Sequence, residues 1–133
     1  MDWKKEYEHG VIWQDFQHEK FIENLNNLLT IVIAKKKDEK AFMKGVNFSI
    51  QYCNNHFKTE EKYMLKHGYP RTENHIMQHN KFVKDLKGLI AAKSLDNSEK
   101  TSRLLNELMA WFSNHILTTD KNLAKFIIAY KLS

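Results

Sequence analysis

Residues Tyr52–His79 read YCNNHFKTEEKYMLKHGYPRTENHIMQH, and this stretch decides the fold. His56 and Glu60 lie four positions apart within it, and so do His75 and His79. Side chains four positions apart lie on one face of an α-helix, one turn from each other. The stretch therefore presents two pairs of side chains, and each pair can direct two ligand atoms at one point.

Gly68, Tyr69 and Pro70 separate the two pairs. A glycine near a helix end followed by a proline ends a helix, so we expect a second helix over about 40–65 and a third over about 71–92. The turn between them lets the third helix fold back, which allows the pairs to meet. Three imidazoles and a carboxylate at one point are typical of a metal site.

The rest of the chain predicts two more helices and a short arm. Residues 1–11 read as an extended arm that carries Trp3 and Tyr7. The 3.6-residue spacing of apolar side chains predicts a first helix from Ile12, ended by 35–38, and a fourth from about 99 that continues toward Tyr130. Residues 94–98 have the composition of a loop and an N-cap.

The expected inward side chains follow from the same spacing. On the first helix they are Phe16, His18, Phe21, Ile22, Leu25, Leu28, Leu29, Val32 and Ile33. On the second they are Phe42, Val46, Ile50, Cys53, His56, Phe57, Glu60 and Met64. On the third they are His75, His79, Phe82, Val83, Leu86 and Ile90. On the fourth they are Leu104, Leu105, Leu108, Trp111, Phe112, His115, Ile116, Leu123, Phe126, Ile127 and Tyr130. The pattern predicts an all-α fold, an up-down-up-down antiparallel four-helix bundle with an N-terminal arm, as one domain over 1–133.

Composition restricts the classes of protein that this chain can be. The start MDWKKEYEHG has no apolar segment typical of a secretory signal, and no apolar run is long enough to span a membrane. The single cysteine, Cys53, fits a reducing compartment, so we expect a cytoplasmic protein. The net charge is +5, but only Arg71 and Arg103 of the 21 basic residues are arginines. Scattered lysines with so few arginines argue against nucleic-acid binding.

Five histidines and two carboxylates are predicted to face the core together. One histidine on an apolar helix face is more often an ordinary core residue than a metal ligand. Burying an unpaired polar group costs several kcal/mol, roughly. A single metal centre therefore explains the set better than five histidines that are each, independently, an ordinary core residue. The candidate ligands are His18, His56, Glu60, His75, His79, His115 and Asp120. We interpret His9 and His67 as surface or loop histidines and Cys53 as a small buried thiol.

His115 and Asp120 lie five positions apart, which turns them about 140° from each other on a regular α-helix. A local i→i+5 turn, or π-bulge, would bring the two side chains nearly into line. We therefore predict a π-helical turn between them.

With these residues in view, the chain resembles the hemerythrin family in its single-domain bacterial form. The resemblance covers nearly the whole chain. Its motifs are the Trp3 arm, Gly10-Val11, Asp15-Phe16-Gln17-His18, the block from Tyr52 to Met64, Gly68-Tyr69-Pro70, His75-x3-His79 and Trp111-x3-His115-Ile116-x3-Asp120. Two positions depart from the pattern, because the family often has leucine in place of Phe112 and an aliphatic residue in place of Gln14.

The resemblance implies two iron ions with a bridging oxide or hydroxide. It implies that His75, His79 and His115 bind one iron, that His18 and His56 bind the other, and that Glu60 and Asp120 bridge the two. Counting bonds on two six-coordinate irons leaves one open position, on the iron with two histidines, where dioxygen would bind. By position, Trp111, Phe112 and Ile116 are candidates to line that pocket, and they could equally be ordinary core.

Three readings of the function remain open. The first is a protein that binds dioxygen reversibly for storage, delivery or scavenging, and this role is not enzymatic. The second is a di-iron redox enzyme, such as a peroxide or nitric-oxide reductase or a ferroxidase. The sequence shows no separate proton donor near the open position, which argues against this second reading. The third is an oxygen or redox sensor, which would need an unidentified protein partner because the chain carries no output domain.

Overall fold

A computed structural model describes residues 2–34, 39–92 and 96–132, which form helical rods that pack side by side. The first rod is α1 (Ile12–Ile33) and the third is α4 (Thr72–Ile90). The second rod is α2 (Glu39–Tyr52), a π-helical segment π1 (Cys53–Phe57) and α3 (Lys58–His67). The fourth rod is α5 (Asn97–Trp111), a π-helical segment π2 (Phe112–Asp120) and α6 (Lys121–Ala129). Within the described ranges there is no β-strand, and the predicted all-α four-helix bundle is confirmed.

The turn after α3 has the geometry that its sequence predicts. Gly68 has a φ of 63°, in the left-handed region that glycine adopts without steric cost. The backbone N–H of Tyr69 donates to the carbonyl of Met64 at 3.0 Å, which closes the end of the helix. At the start of α5, the side chain of Asp96 accepts a hydrogen bond from the backbone N–H of Glu99 at 2.9 Å. Other residues of the two predicted loops, 35–38 and 93–95, lie outside the described ranges.

Two apolar clusters lie along the bundle with a polar layer between them. The larger cluster contains Phe21, Tyr52, Phe82 and Phe112, and it extends toward one end of the rods. The smaller cluster contains Val11, Met64, Tyr69, Leu123, Ala124 and Ile127. Each rod passes from one cluster to the other through the layer that holds the buried histidines. This arrangement shields the polar layer with hydrocarbon on both sides.

Four side chains that were expected in the core are exposed, and one of them is Tyr130 at the end of the fourth rod. Phe16 is 61% exposed, Ile33 is 71% exposed and Ile50 is 43% exposed. Phe16 lies two positions before His18, and two positions turn a side chain by about 200° on an α-helix. The same helix therefore cannot bury both, and the polar histidine is the one that faces inward. On the second rod, buried Ser49 occupies the inward position beside Ile50 and bonds to the carbonyl of Gly45 at 2.8 Å.

The fourth rod also ends earlier than expected. Its last helix stops at Ala129, and Tyr130 is 68% exposed. None of the helices described in 2–34, 39–92 and 96–132 is both long enough and apolar enough to cross a bilayer.

The N-terminal arm packs on the larger cluster. It contains one 3₁₀ turn, Lys5–Tyr7, rather than being extended throughout. The ring of Tyr7 meets the ring of Phe112 edge to face, with 5.1 Å between centroids. The carboxylate of Asp15 accepts hydrogen bonds from the backbone N–H groups of His9 at 2.7 Å and Gly10 at 3.0 Å. These bonds fix the arm against the start of α1.

Candidate metal centre

The structure brings all seven predicted donor residues into the polar layer. Each of these residues is at most 1% exposed. The first rod contributes His18, the second His56 and Glu60, the third His75 and His79, and the fourth His115 and Asp120.

The five imidazole rings form two groups. In the three-histidine group, the ring centroids of His75, His79 and His115 lie 4.6–5.2 Å apart. In the two-histidine group, the centroids of His18 and His56 lie 5.0 Å apart. The groups share no rod: the third and fourth rods supply one, and the first and second supply the other.

The π-helical turn between His115 and Asp120 is confirmed. The segment π2 runs over Phe112–Asp120 and is longer than a single bulge. Its wider turn brings both side chains to the same side of the rod, and Nε2 of His115 lies 2.9 Å from Oδ1 of Asp120. A second π-helical segment, π1, immediately precedes α3 and contains His56. The predicted second helix, over about 40–65, is confirmed, and the π-helical segment within it was not predicted.

Asp120 lies between the two histidine groups and directs one oxygen toward each. Its Oδ1 is 3.1 Å from Nε2 of His75 and 2.9 Å from Nε2 of His115. Its Oδ2 is 3.0 Å from Nε2 of His18 and 3.3 Å from Nε2 of His56. Ligands at right angles on one metal, with bonds of about 2.1 Å, are about 3.0 Å apart. The measured separations match that spacing on both sides of the carboxylate.

Glu60 is placed differently, because one of its oxygens faces both groups. Its Oε1 lies 3.3 Å from Nε2 of His56 and 3.2 Å from Nε2 of both His75 and His79. Its Oε2 accepts a hydrogen bond from the side-chain amide of Gln14 at 3.0 Å. The two buried carboxylates therefore have distinct surroundings.

Three histidines are oriented from behind by hydrogen bonds at Nδ1. Nδ1 of His56 bonds to Oε1 of Gln17, and Nδ1 of His79 bonds to Oε2 of Glu61 at 2.9 Å. Nδ1 of His115 bonds to Oε1 of Gln78 at 2.6 Å, and this oxygen also accepts from the hydroxyl of Thr119. An acceptor at Nδ1 holds the proton there, so the lone pair of Nε2 is free to face the centre.

These three acceptors were missed by reasoning from the sequence, although the sequence carries a signal for them. Gln17 precedes His18, Glu61 follows Glu60, and Gln78 precedes His79. One position along a helix turns a side chain by about 100°, from the core toward the neighbouring helix. Each acceptor therefore reaches a histidine on a neighbouring rod rather than on its own.

Charge couples the histidines to the carboxylates. Burial opposes protonation of His56, but Glu60 and Asp120 outweigh it and raise the pKa of His56 to about 10. Burial likewise opposes protonation of His75, and the same two carboxylates raise its pKa to about 9. Burial also favours the neutral acids, yet the surrounding histidines hold the pKa values of both Glu60 and Asp120 well below their usual range. For His115, burial prevails and lowers the pKa.

Several nitrogen and oxygen atoms of the candidate metal ligands lack hydrogen bonds even though they lie close together. Among the described residues, Nε2 of His79, Nε2 of His115 and Oδ1 of Asp120 are buried and have no hydrogen-bond partner. Buried polar atoms are rarely left unpaired in native proteins. Nε2 of His115 and Oδ1 of Asp120 are 2.9 Å apart but are not aligned for a hydrogen bond. Lone pairs that converge without a shared proton fit a bound metal ion.

All three residues predicted to line a small-molecule pocket lie in the larger cluster, and Trp111 contacts the three-histidine group of the centre. Trp111 stacks on His115 with 3.8 Å between ring centroids, and its Nε1–H donates to the hydroxyl of Tyr52 at 3.4 Å. Phe112 is 1% exposed and packs against Phe21, and Ile116 is fully buried. All three side chains are therefore buried in the apolar core.

The remaining histidines and the cysteine have different positions. His9 lies in a loop of the arm, as one of the two predicted alternatives has it, but it is half-buried and its ring centroid lies 5.3 Å from that of His18. The hydrogen bonds from the arm to the carboxylate of Asp15 hold His9 in this position. His67 is at the end of α3, partly exposed, 5.9 Å from the ring of Tyr63. Burial raises the pKa of the Cys53 thiol to about 12, so this residue does not supply the thiolate that metals bind.

The fold and the donor set define a helical-bundle protein with a buried metal site of nitrogen and oxygen ligands. A family model described as the hemerythrin HHE cation binding domain matches residues 9–127. The chain belongs to the hemerythrin family. The family and the buried cluster together indicate a non-haem iron site.

Three curated relatives are named bacteriohemerythrin. The protein from Clostridium acetobutylicum is 28% identical over 123 residues, which cover 90% of this chain and 95% of that one. The protein from Methylococcus capsulatus is 30% identical over 125 residues, 91% of this chain and 92% of that one. The protein from Stenotrophomonas maltophilia is 27% identical over 128 residues, 96% of this chain and 82% of that one.

Replacing Glu61 with alanine should weaken iron binding about 10–100-fold, because His79 loses the acceptor that orients it. Competition with a chelator for ferrous iron measures this loss. Glu23→Ala is the matched control, since Glu23 is 65% exposed and pairs only with Lys20 among the contacts described. Equal affinities for both variants would contradict an orienting role for Glu61.

Proposed function

We propose that this protein binds dioxygen reversibly at a non-haem di-iron centre, for storage, delivery or scavenging. The observation that carries the proposal is the position of Asp120 between two separate histidine groups, with one oxygen directed at each. A single metal ion needs only one such group. Two groups joined by a carboxylate support a pair of ions.

The proposed ligands divide as the two groups do. His75, His79 and His115 would hold one iron, and His18 and His56 would hold the other. Glu60 and Asp120 would be shared by the pair, together with an oxide or hydroxide. The iron with two histidines has fewer protein ligands, and an open position on a metal is where a small molecule binds. A cytoplasmic location and a single domain over 1–133 stay predictions from the sequence.

The surroundings support binding and release rather than oxidation of a substrate. Five nitrogen donors and two carboxylates make a site richer in nitrogen than the glutamate-rich di-iron bundles. When bound, the iron pair would supply electrons to dioxygen and recover them on release. Trp111, Phe112 and Ile116 are buried side chains on the rod that carries His115, and a site free of water would protect a bound ligand from protonation and loss.

One observation favours a redox enzyme as the second candidate. His9 lies beside His18, on the side of the two-histidine group, and is half-buried. A histidine at this place can carry a proton, which reduction of peroxide or nitric oxide requires. No feature of the described residues specifically supports a sensor role.

Reversible oxygenation is the expected behaviour. The protein is loaded with ferrous iron without oxygen, then exposed to air, and the oxygen is removed again while the visible spectrum is recorded. We expect a band that appears with oxygen and disappears on its removal. Immediate and irreversible oxidation would contradict oxygen carriage and favour the enzyme. The same cycle with a His9→Gln variant is the control. If the wild type oxidises rapidly and the variant does not, His9 is identified as the proton donor.

A further inference from the structure

Gln14 is a fully buried amide that contacts the metal layer from the side of the smaller apolar cluster. It lies on α1, one turn before His18. Its Nε2 donates to Oε2 of Glu60 at 3.0 Å and to the backbone carbonyl of Asp120 at 3.1 Å. One side chain therefore contacts both residues that carry the buried carboxylates.

The hydrogen bond explains why the two carboxylates differ. Asp120 directs a separate oxygen at each histidine group, whereas Glu60 directs Oε1 at both groups and keeps Oε2 on Gln14. A hydrogen bond to an ionised carboxylate is about twice as strong as one between neutral groups. Without the amide, Oε2 would lie in hydrocarbon with no donor, and it would be free to turn toward a metal ion.

We propose that Gln14 is a positioning residue that holds Glu60 with Oε1 between the two metal positions and Oε2 away from them. This inference rests on the proposed function, because it concerns the ligands of the same iron pair. A donor on the carboxylate also draws electron density away from the metal. The lower charge of ferrous iron is then favoured over ferric iron, so Gln14 raises the reduction potential of the pair.

Two substitutions remove the donor while they change the shape of the side chain differently. Gln14→Met keeps the length of glutamine, and Gln14→Leu shortens and branches it. Asn24→Leu is the matched control, because Asn24 is a buried amide on the same helix, ten positions farther along and outside the donor set. The midpoint potential is measured by spectroelectrochemical titration, alongside iron content and the melting temperature of the metal-free protein.

We expect both Gln14 variants to hold iron and to favour the ferric state about tenfold more than the wild type does. Tenfold corresponds to about 59 mV for a one-electron couple. The midpoint potential of the iron pair in Asn24→Leu should equal that of the wild type, even if its melting temperature changes as much as those of the Gln14 variants do. Wild-type potentials in both iron-loaded Gln14 variants would overturn the inference, and so would an equal shift in Asn24→Leu. A wild type that holds no iron pair would instead overturn the proposed function, and this inference with it.

Discussion

An Asp120→Ala variant is expected to hold no iron pair. Asp120 lies within 3.3 Å of Nε2 atoms from both histidine groups, so under the proposed assignment its loss removes a ligand from each metal position. The effect should exceed the roughly 10–100-fold loss of affinity expected for a residue that only orients a ligand. Iron per chain, measured after anaerobic loading and gel filtration, tests this. The same loss is expected for Glu60→Ala and His79→Ala.

The metal-free form of this variant should also be less stable. Burial disfavours charge on His56, and it is the nearby carboxylates that raise its pKa to about 10. Removing Asp120 leaves Glu60 as the remaining carboxylate beside the buried imidazoles, and breaking a buried ion pair costs on the order of 3–5 kcal/mol of unfolding free energy. Asp85→Ala is the control, since Asp85 bonds to Lys81 on the surface at 2.9 Å, outside the donor set. Normal iron content in Asp120→Ala would refute the ligand assignment.

Iron loading should raise the melting temperature by roughly 10–20 °C. Free metal at about a thousandfold excess over its dissociation constant stabilises the folded state by about 4 kcal/mol. For a chain of this size, each kcal/mol shifts the melting temperature by a few degrees, roughly. The effect follows from the position of the proposed ligands on all four rods, because bound ions would link every rod to the others. Equal melting temperatures for the metal-free and loaded forms would contradict it.

The difference in unfolding free energy between the iron-loaded and the metal-free protein should increase as the pH rises. In the metal-free protein, the folded pKa values of His56 and His75 are about 10 and about 9, above the ordinary 6.5. Their contribution to stability is complete below the unfolded pKa and is lost as the pH rises through the folded values. Glu60 and Asp120 have lowered pKa values, so their contribution changes only on acidification.

The loaded form behaves differently because iron replaces the protons. Metal binding requires neutral imidazole, so higher pH favours it. Denaturant unfolding of both forms under anaerobic conditions measures the difference between their unfolding free energies. The two pH values are about 6.5 and about 9, the ordinary and the folded pKa of His75. The Asp120→Ala variant, which should not load iron, is the control. If this difference in unfolding free energy decreases from the lower to the higher pH, His56 and His75 are not protonated in the metal-free protein as assigned here.

Much of the candidate site follows from spacing along the chain. The pair His56 and Glu60 and the pair His75 and His79 can be predicted because four positions make about one helical turn. The five-position spacing of His115 and Asp120 likewise indicates that the helix must widen, and it does over Phe112–Asp120. Each of these inferences needs only the period of a single helix.

Contacts between rods could not be predicted in this way. Gln17 reaches His56 across 39 positions, Gln78 reaches His115 across 37, and Gln14 reaches Glu60 across 46. The period of a helix gives the direction of a side chain around its own axis. It does not give the rotation of one helix relative to another, which depends on how the apolar clusters pack.

By itself, the sequence determined the four helices, the turn at Gly68, the seven donor residues and the widened turn before Asp120. These features are local, since each depends on residues a few positions apart. The tertiary structure decided that Asp120 directs one oxygen at each histidine group, whereas Glu60 directs a single oxygen at both. It also decided that His9 lies beside His18 and that Gln14 holds the free oxygen of Glu60. The reason is that the packing of distant segments sets these distances, and periodicity along one helix carries no information about them.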